Sequence, residues 1–119
     1  CGCDGMDEIT LTGTTHISEI KDDNVTSYDI NPADYGLKIT DAEQLKGGNG
    51  EENAETTKAI LAGKETGAKR DIVLLNAGAA IYCAGIADTL AEGIEKAKES
   101  IDSGKALEVL NKLVEFTNR

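Results

Sequence analysis

Tryptophan is absent, and one phenylalanine and three tyrosines make up the whole aromatic complement of this 119-residue chain. Its core must be aliphatic, which leaves a small stand-alone unit near the margin of stability. Bases are scarce: 12 Lys and Arg face 22 Asp and Glu, for a formal net charge of −10. That balance excludes a nucleic-acid binder, which needs basic patches to neutralise phosphates. Acid spread along solvated faces confers solubility and implies no partner. The three cysteines are an odd number, which excludes a closed disulfide framework. Cys1 and Cys3 form a C-x-C with no second pair and no nearby His, so no zinc site is expected. The thiols read as incidental groups of a reduced, cytoplasmic protein.

Long apolar runs are missing as well. The one run of note, Ile72 to Ala87, is too short and too rich in Ala and Gly to span a bilayer, which takes about 20 apolar residues. No secretory hydrophobic region opens the chain, so no membrane partner is expected. The first residue is Cys1, not Met, which implies that something upstream was removed or left out. Cys1-Gly2 as a lipidated terminus is set aside, because motif-like sequence starts at once without a flexible linker. The length suits one modest domain.

What is present divides near residue 40 into a strand-and-hairpin part, 1–40, and a helical part, 41–119. Glu8-Ile9-Thr10-Leu11-Thr12 alternates and reads as a strand with Ile9 and Leu11 on one face. His16–Lys21 and Val25–Ile30, separated by Asp22-Asp23-Asn24, read as a hairpin. Asn31-Pro32 suits the start of a short helical turn. Asn49 and Glu52 form a capping box for a helix to about Ala62, with Gly63 as terminator. Ile72–Ala87 reads as a helix apolar all round and hence buried all round, about 24 Å long at 1.5 Å per residue. Thr89 and Glu92 cap the next helix, which buries the stripe Leu90, Ile94, Ala97 and Ile101. Ser103 caps a last helix with Leu107, Leu110, Leu113 and Val114 facing inward. Two amphipathic helices and a hairpin cover the apolar helix only in part, which suggests a piece of a larger domain.

Few residues carry candidate chemistry. Asp7 and Glu8 are adjacent acids in a loop loosened by Gly5. Such a pair suits Mg²⁺, which takes hard oxygen ligands, keeps several waters and bridges to substrate phosphates. Both acids serve one ion only if Asp7 lies in the loop or water bridges the contacts, because successive strand side chains point to opposite faces. Alone, the pair reads rather as a solvated acidic turn. Gly47-Gly48-Asn49-Gly50 resembles a phosphate cradle, yet Glu51 and Glu52 occupy the helix start and repel an anion, so it reads as loop and cap. His16 has no Ser or Cys with an orienting acid beside it and reads as a strand residue. Cys83 reads as a buried, inert thiol. Asn76 reads as a structural tie to neighbouring backbone.

Four segments together resemble anthranilate phosphoribosyltransferases over Gly2 to Thr117. They are Asp4-Gly5-Met6-Asp7-Glu8-Ile9-Thr10, Glu52-Asn53-Ala54, Arg70-Asp71-Ile72-Val73-Leu74-Leu75-Asn76-Ala77 and Ile101-Asp102-Ser103-Gly104-Lys105-Ala106. The resemblance implies an α/β fold of the nucleoside phosphorylase and phosphoribosyltransferase type, with this chain as the C-terminal part of its α/β domain. It implies transfer of phosphoribosyl from phosphoribosyl pyrophosphate to the anthranilate nitrogen, the second step of tryptophan biosynthesis, by a dimeric whole enzyme. It implies that Asp7 and Glu8 help to hold Mg²⁺. The family's helical domain and its Gly-Thr-Gly-Gly-Asp phosphate loop have no counterpart here, so the 119 residues alone are expected to be inactive. Two alternatives stay open: a non-enzymatic α+β binding module on the same scaffold, and a relative of pyrimidine nucleoside phosphorylases.

Overall fold

Asp22 and Asp23 both adopt positive φ, 51° and 63°, and between them they reverse the chain. Two left-handed central residues define the hairpin turn whose twist matches that of flanking strands, and short Asp side chains tolerate it. The strands β1 (Thr15–Lys21) and β2 (Asn24–Ile30) pair antiparallel, with Lys21 opposite Asn24 and Thr15 opposite Ile30. The structure, a computed structural model describing residues 1–119, bears out the expected hairpin. Its open end is the buried end: Thr15 and Ile30 are almost inaccessible, whereas Ile20 and Val25 near the turn are exposed. A single bridge, Gly2 to Thr15, lays the first residues alongside the start of β1.

Asn31 caps a 3-10 turn over Pro32–Tyr35, its side chain accepting from the Ala33 amide. A second such turn spans Ala42–Leu45. Helix α1 (Gly50–Leu61) begins on the expected capping box: Asn49 accepts from the Glu52 amide and Glu52 from the Asn49 amide. Asn53 also binds back to the loop, accepting from the Gly48 amide and donating to the Gly48 carbonyl. The glycine-rich loop thus spends its polar groups on its own cap.

Helix α2 (Ala68–Cys83) starts earlier and stops earlier than its apolar run. The early start works because Arg70, buried in the first turn, donates to Asp102 at 2.8 Å. The early stop falls at Gly85, whose φ of 75° is left-handed and ends the helix. Helix α2 is not buried all round. Leu74, Leu75 and Gly78 face the core, while Ala80 and Cys83 are exposed. The other elements cover one side of it and leave its C-terminal turn open.

Helix α3 (Leu90–Asp102) buries the expected Ile94, Ala97 and Ile101, with Leu90 half-buried. Thr89 accepts from the Glu92 amide, but the Glu92 carboxylate turns to the Asp88 amide. Helix α4 (Lys105–Thr117) departs from expectation twice. Gly104, not Ser103, precedes it, and Ser103 closes α3 instead. None of its residues is buried, and Leu113, Val114 and Phe116 are exposed. The reason is position: α4 packs at the rim, where only Ala106, Leu107 and Leu110 of its first half are half-buried and every residue from Asn111 on is exposed. The aliphatic core joins Leu11, Ile30, Ile60, Leu74, Leu75, Ile94, Ala97 and Ile101.

Candidate functional site

Asp7 and Glu8 sit on an exposed loop that leads from the first bridge to buried Leu11. The expected strand over Glu8–Thr12 does not form. Thr10 and Leu11 are both fully buried, so the alternation of polar and apolar residues does not separate two faces. The partner that a strand would supply is a side chain: Asn76 on α2 accepts from the Ile9 amide at 3.0 Å and donates to the Ile9 carbonyl at 2.9 Å. A second bond, from the same Asn76 nitrogen to the Ile72 carbonyl, fixes the amide on its helix. The tie expected of Asn76 is present, and Asp7 lies in a loop, as expected.

Asp4 organises the other side of the loop. One carboxylate oxygen accepts from the Met6 amide at 3.0 Å. The other accepts from the hydroxyls of Thr10 and Thr12, each at 2.8 Å. The Met6 amide, then the two threonine hydroxyls, hold the Asp4 carboxyl below its ordinary range. The Gly2 amide donates to the Met6 carbonyl at 3.0 Å. Sequence reasoning passed over Asp4 as part of a motif. The Asp4-Gly5 pair is a turn signal in its own right and could have revealed it.

In contrast to Asp4, Asp7 and Glu8 make no side-chain hydrogen bond or ion pair within the chain. They open onto a cleft of about 750 Å³ between the hairpin and the C-terminal half of α2. Ile17 and Tyr28 wall it on one side, Ala79 and Cys83 on the other. Tyr82 closes across it, donating to Glu19 of β1 at 2.5 Å. That bond to a carboxylate, with some burial, pushes the Tyr82 phenol up to about 12. Neither Glu19 nor Tyr82 was foreseen, since 63 residues separate them.

His16 is an exposed strand residue, but it does have an acid beside it: its Nδ1 lies 2.7 Å from Asp29 across the hairpin. The expected strand placement holds, and antiparallel register brings positions 16 and 29 together. Cys83, expected buried, is exposed at the open end of α2.

No group of three or more His, Cys, Asp or Glu side chains gathers to hold a metal. Two free, adjacent carboxylates still fit Mg²⁺, which needs only one or two from the protein when waters and phosphates complete its shell.

Residues 1–107 match the glycosyl transferase family, a/b domain. The chain belongs to that family. Among its relatives, the anthranilate phosphoribosyltransferase of Acetivibrio thermocellus is 50% identical over 98% of this chain and 34% of its own length. That of Haloarcula marismortui is 50% identical over 93% of this chain. The chain spans about a third of the length of the curated relatives it matches. The crystal structure of the Thermus thermophilus enzyme superposes with a TM-score of 0.88 at 38% identity, covering 98% of this chain and 34% of that one. A variant of the Saccharomyces cerevisiae enzyme with Mg bound superposes at 0.83 and 28% identity, over 92% of this chain and 32% of that one. Within this glycosyl transferase family the two-stranded hairpin and four helices are part of an α/β arrangement. No helix is long and apolar enough to cross a membrane.

Proposed function

We propose that this chain serves phosphoribosyl transfer from phosphoribosyl pyrophosphate to the amino nitrogen of anthranilate, with release of pyrophosphate. The step belongs to tryptophan biosynthesis. In this reading Asp7 and Glu8 hold Mg²⁺, and the single observation that carries it is their state: adjacent, exposed and unengaged on a loop otherwise bound tightly to itself. Two adjacent carboxylates that no group of the chain engages are available to a cation that brings waters and phosphate oxygens of its own. The anthranilate phosphoribosyltransferases at about 50% identity support the choice of reaction.

A bound Mg²⁺ supplies Lewis-acid stabilisation of the negative charge on a departing diphosphate. The chain's own residues do the rest of what is proposed here. Asp7 and Glu8 offer the hard oxygens, Asp4 shapes the approach to them, and Asn76 holds the exit. The 119 residues by themselves carry no phosphate loop of the family type and are expected to be inactive.

The test is pyrophosphate release by the full natural polypeptide, with Mg²⁺ and both substrates, in wild type and in Asp7→Asn and Glu8→Gln variants. Both variants should require far more Mg²⁺. Normal metal dependence in both would make the acidic pair structural. Turnover by the 119 residues alone, well above a buffer blank, would overturn the expectation of inactivity.

A further inference from the structure

The hydrogen bonds on either side of Asp7 and Glu8 follow a pattern. Gly2 holds the carbonyl of the peptide joining Met6 to Asp7. Asn76 holds the amide of the peptide joining Glu8 to Ile9. The peptide between Asp7 and Glu8 makes no backbone bond of its own. The pair therefore hangs between two fixed peptide planes. One anchor is local backbone; the other is a side chain from a helix 67 residues away.

Asn76 is costly where it stands. It interrupts an apolar stretch between Leu75 and Ala77, and a half-buried amide must find partners. Ile9 supplies two of them by turning both of its backbone groups toward it. A leucine there would suit the apolar surroundings better and would leave two backbone groups of Ile9 unpaired. The same amide also bonds to the Ile72 carbonyl of its own helix, which ties its orientation to α2 as well as to the loop.

We propose that Asn76 is a positioning residue: it sets, from α2, the direction in which Asp7 and Glu8 present their carboxylates to a divalent cation. The inference rests on reading that pair as cation ligands. A partner that orients a metal ligand is worth about 10- to 100-fold in affinity. A mere packing role for Asn76 predicts a loss of stability and no change in metal binding.

The experiment uses the full natural polypeptide, with Mn²⁺ as probe in the presence of phosphoribosyl pyrophosphate, and binding followed by electron paramagnetic resonance. Asn76→Leu should weaken Mn²⁺ binding about 10- to 100-fold. It should raise the Mg²⁺ needed for half-maximal rate in parallel, while the rate at saturating metal changes little. In an Asp7→Asn, Glu8→Gln background the same substitution should add no further loss. Asn76→Ala, which removes the clamp without adding bulk, should behave alike. Normal Mn²⁺ binding in Asn76→Leu, when the acidic double variant has lost it, overturns this inference and leaves the cation reading standing. Normal binding in the acidic double variant removes both. Failure of both Asn76 variants to fold makes the residue a folding element and overturns the inference too.

Discussion

Gly78 on α2 and Gly93 on α3 meet backbone to backbone. A Cβ built on Gly93 runs into the Gly78 carbonyl, and one built on Gly78 lies 2.7 Å from the Ile94 nitrogen. The obstacle at Gly93 is main chain alone, and at Gly78 it is the Ile94 side chain together with the Ile94 main chain, which cannot rotate aside as a side chain does. Gly93→Ala is therefore expected to cost about 1–3 kcal/mol through overpacking, and at least as much as any other glycine-to-alanine change in a helix of the chain. Gly50→Ala, at the start of α1 with open space around it, should be nearly neutral. Urea unfolding of the two variants checks this. Equal stability would mean that α2 and α3 shift apart freely.

Tyr82 should be the tyrosine that marks the cleft in a pH titration. Its phenol is pushed up to about 12, first by the bond to Glu19 and then by burial. A phenol ionises near 10 when unfolded, so the bond's contribution is whole below pH 10 and is lost between 10 and about 12. Phenolate absorbance should show a late phase in that window. Tyr82→Phe should remove it, and Glu19→Gln should move it down. An unchanged late phase in Tyr82→Phe would assign it to another residue.

Asp4 makes the opposite prediction at the acid end. Its carboxyl is held below the ordinary value of 3.8 by the Met6 amide and the Thr12 and Thr10 hydroxyls. The contribution is present above pH 3.8 and is lost as pH falls through the lower, folded value. Asp4→Asn should lower stability at neutral pH and flatten its dependence below pH 4. Denaturation at several pH values tests both parts; a variant as acid-sensitive as wild type would show that other carboxyls dominate.

The Arg70–Asp102 pair should respond unequally to removal of its two members. Arg70 is buried, with its side chain 10% exposed, whereas Asp102 keeps 55% exposure. Asp102→Ala strands a buried guanidinium and is expected to cost about 2 kcal/mol or more. Arg70→Met keeps the apolar stem in place and leaves a carboxylate that water can solvate, for about 1 kcal/mol or less. Chemical denaturation gives the order directly; the reverse order would mean that Arg70 finds water or another acceptor.

Local chemistry was the legible part of this chain. Asp22-Asp23-Asn24 announces its turn, Asn49 with Glu52 announces a cap, and Ile94, Ala97 and Ile101 trace the one helical stripe that is buried as expected. In the candidate site, Asp7 and Glu8 were found by residue type, and their loop placement followed from Gly5. Long-range pairings were not legible. Ile9 and Leu11 alternate with Thr10 as a strand would, but the partner is an amide on α2. The start of α2 was missed because Lys69, Arg70 and Asp71 look like loop residues until Asp102 is placed beside Arg70. Leu113 and Val114 read as inward-facing because an amphipathic pattern says which residues share a face, not whether anything covers it.

Because the Met6 carbonyl and the Ile9 amide are pinned while no hydrogen bond holds the peptide between Asp7 and Glu8, that one plane can turn like a crankshaft about the line joining its two Cα atoms. Such a turn reverses the Asp7 carbonyl and the Glu8 amide but leaves both Cβ atoms, and with them the heading of the two side chains, where the pinned neighbours set them. The segment thereby joins a rigid mount to one reversible plane: its backbone polarity can invert without breaking any hydrogen bond that keeps the chain folded.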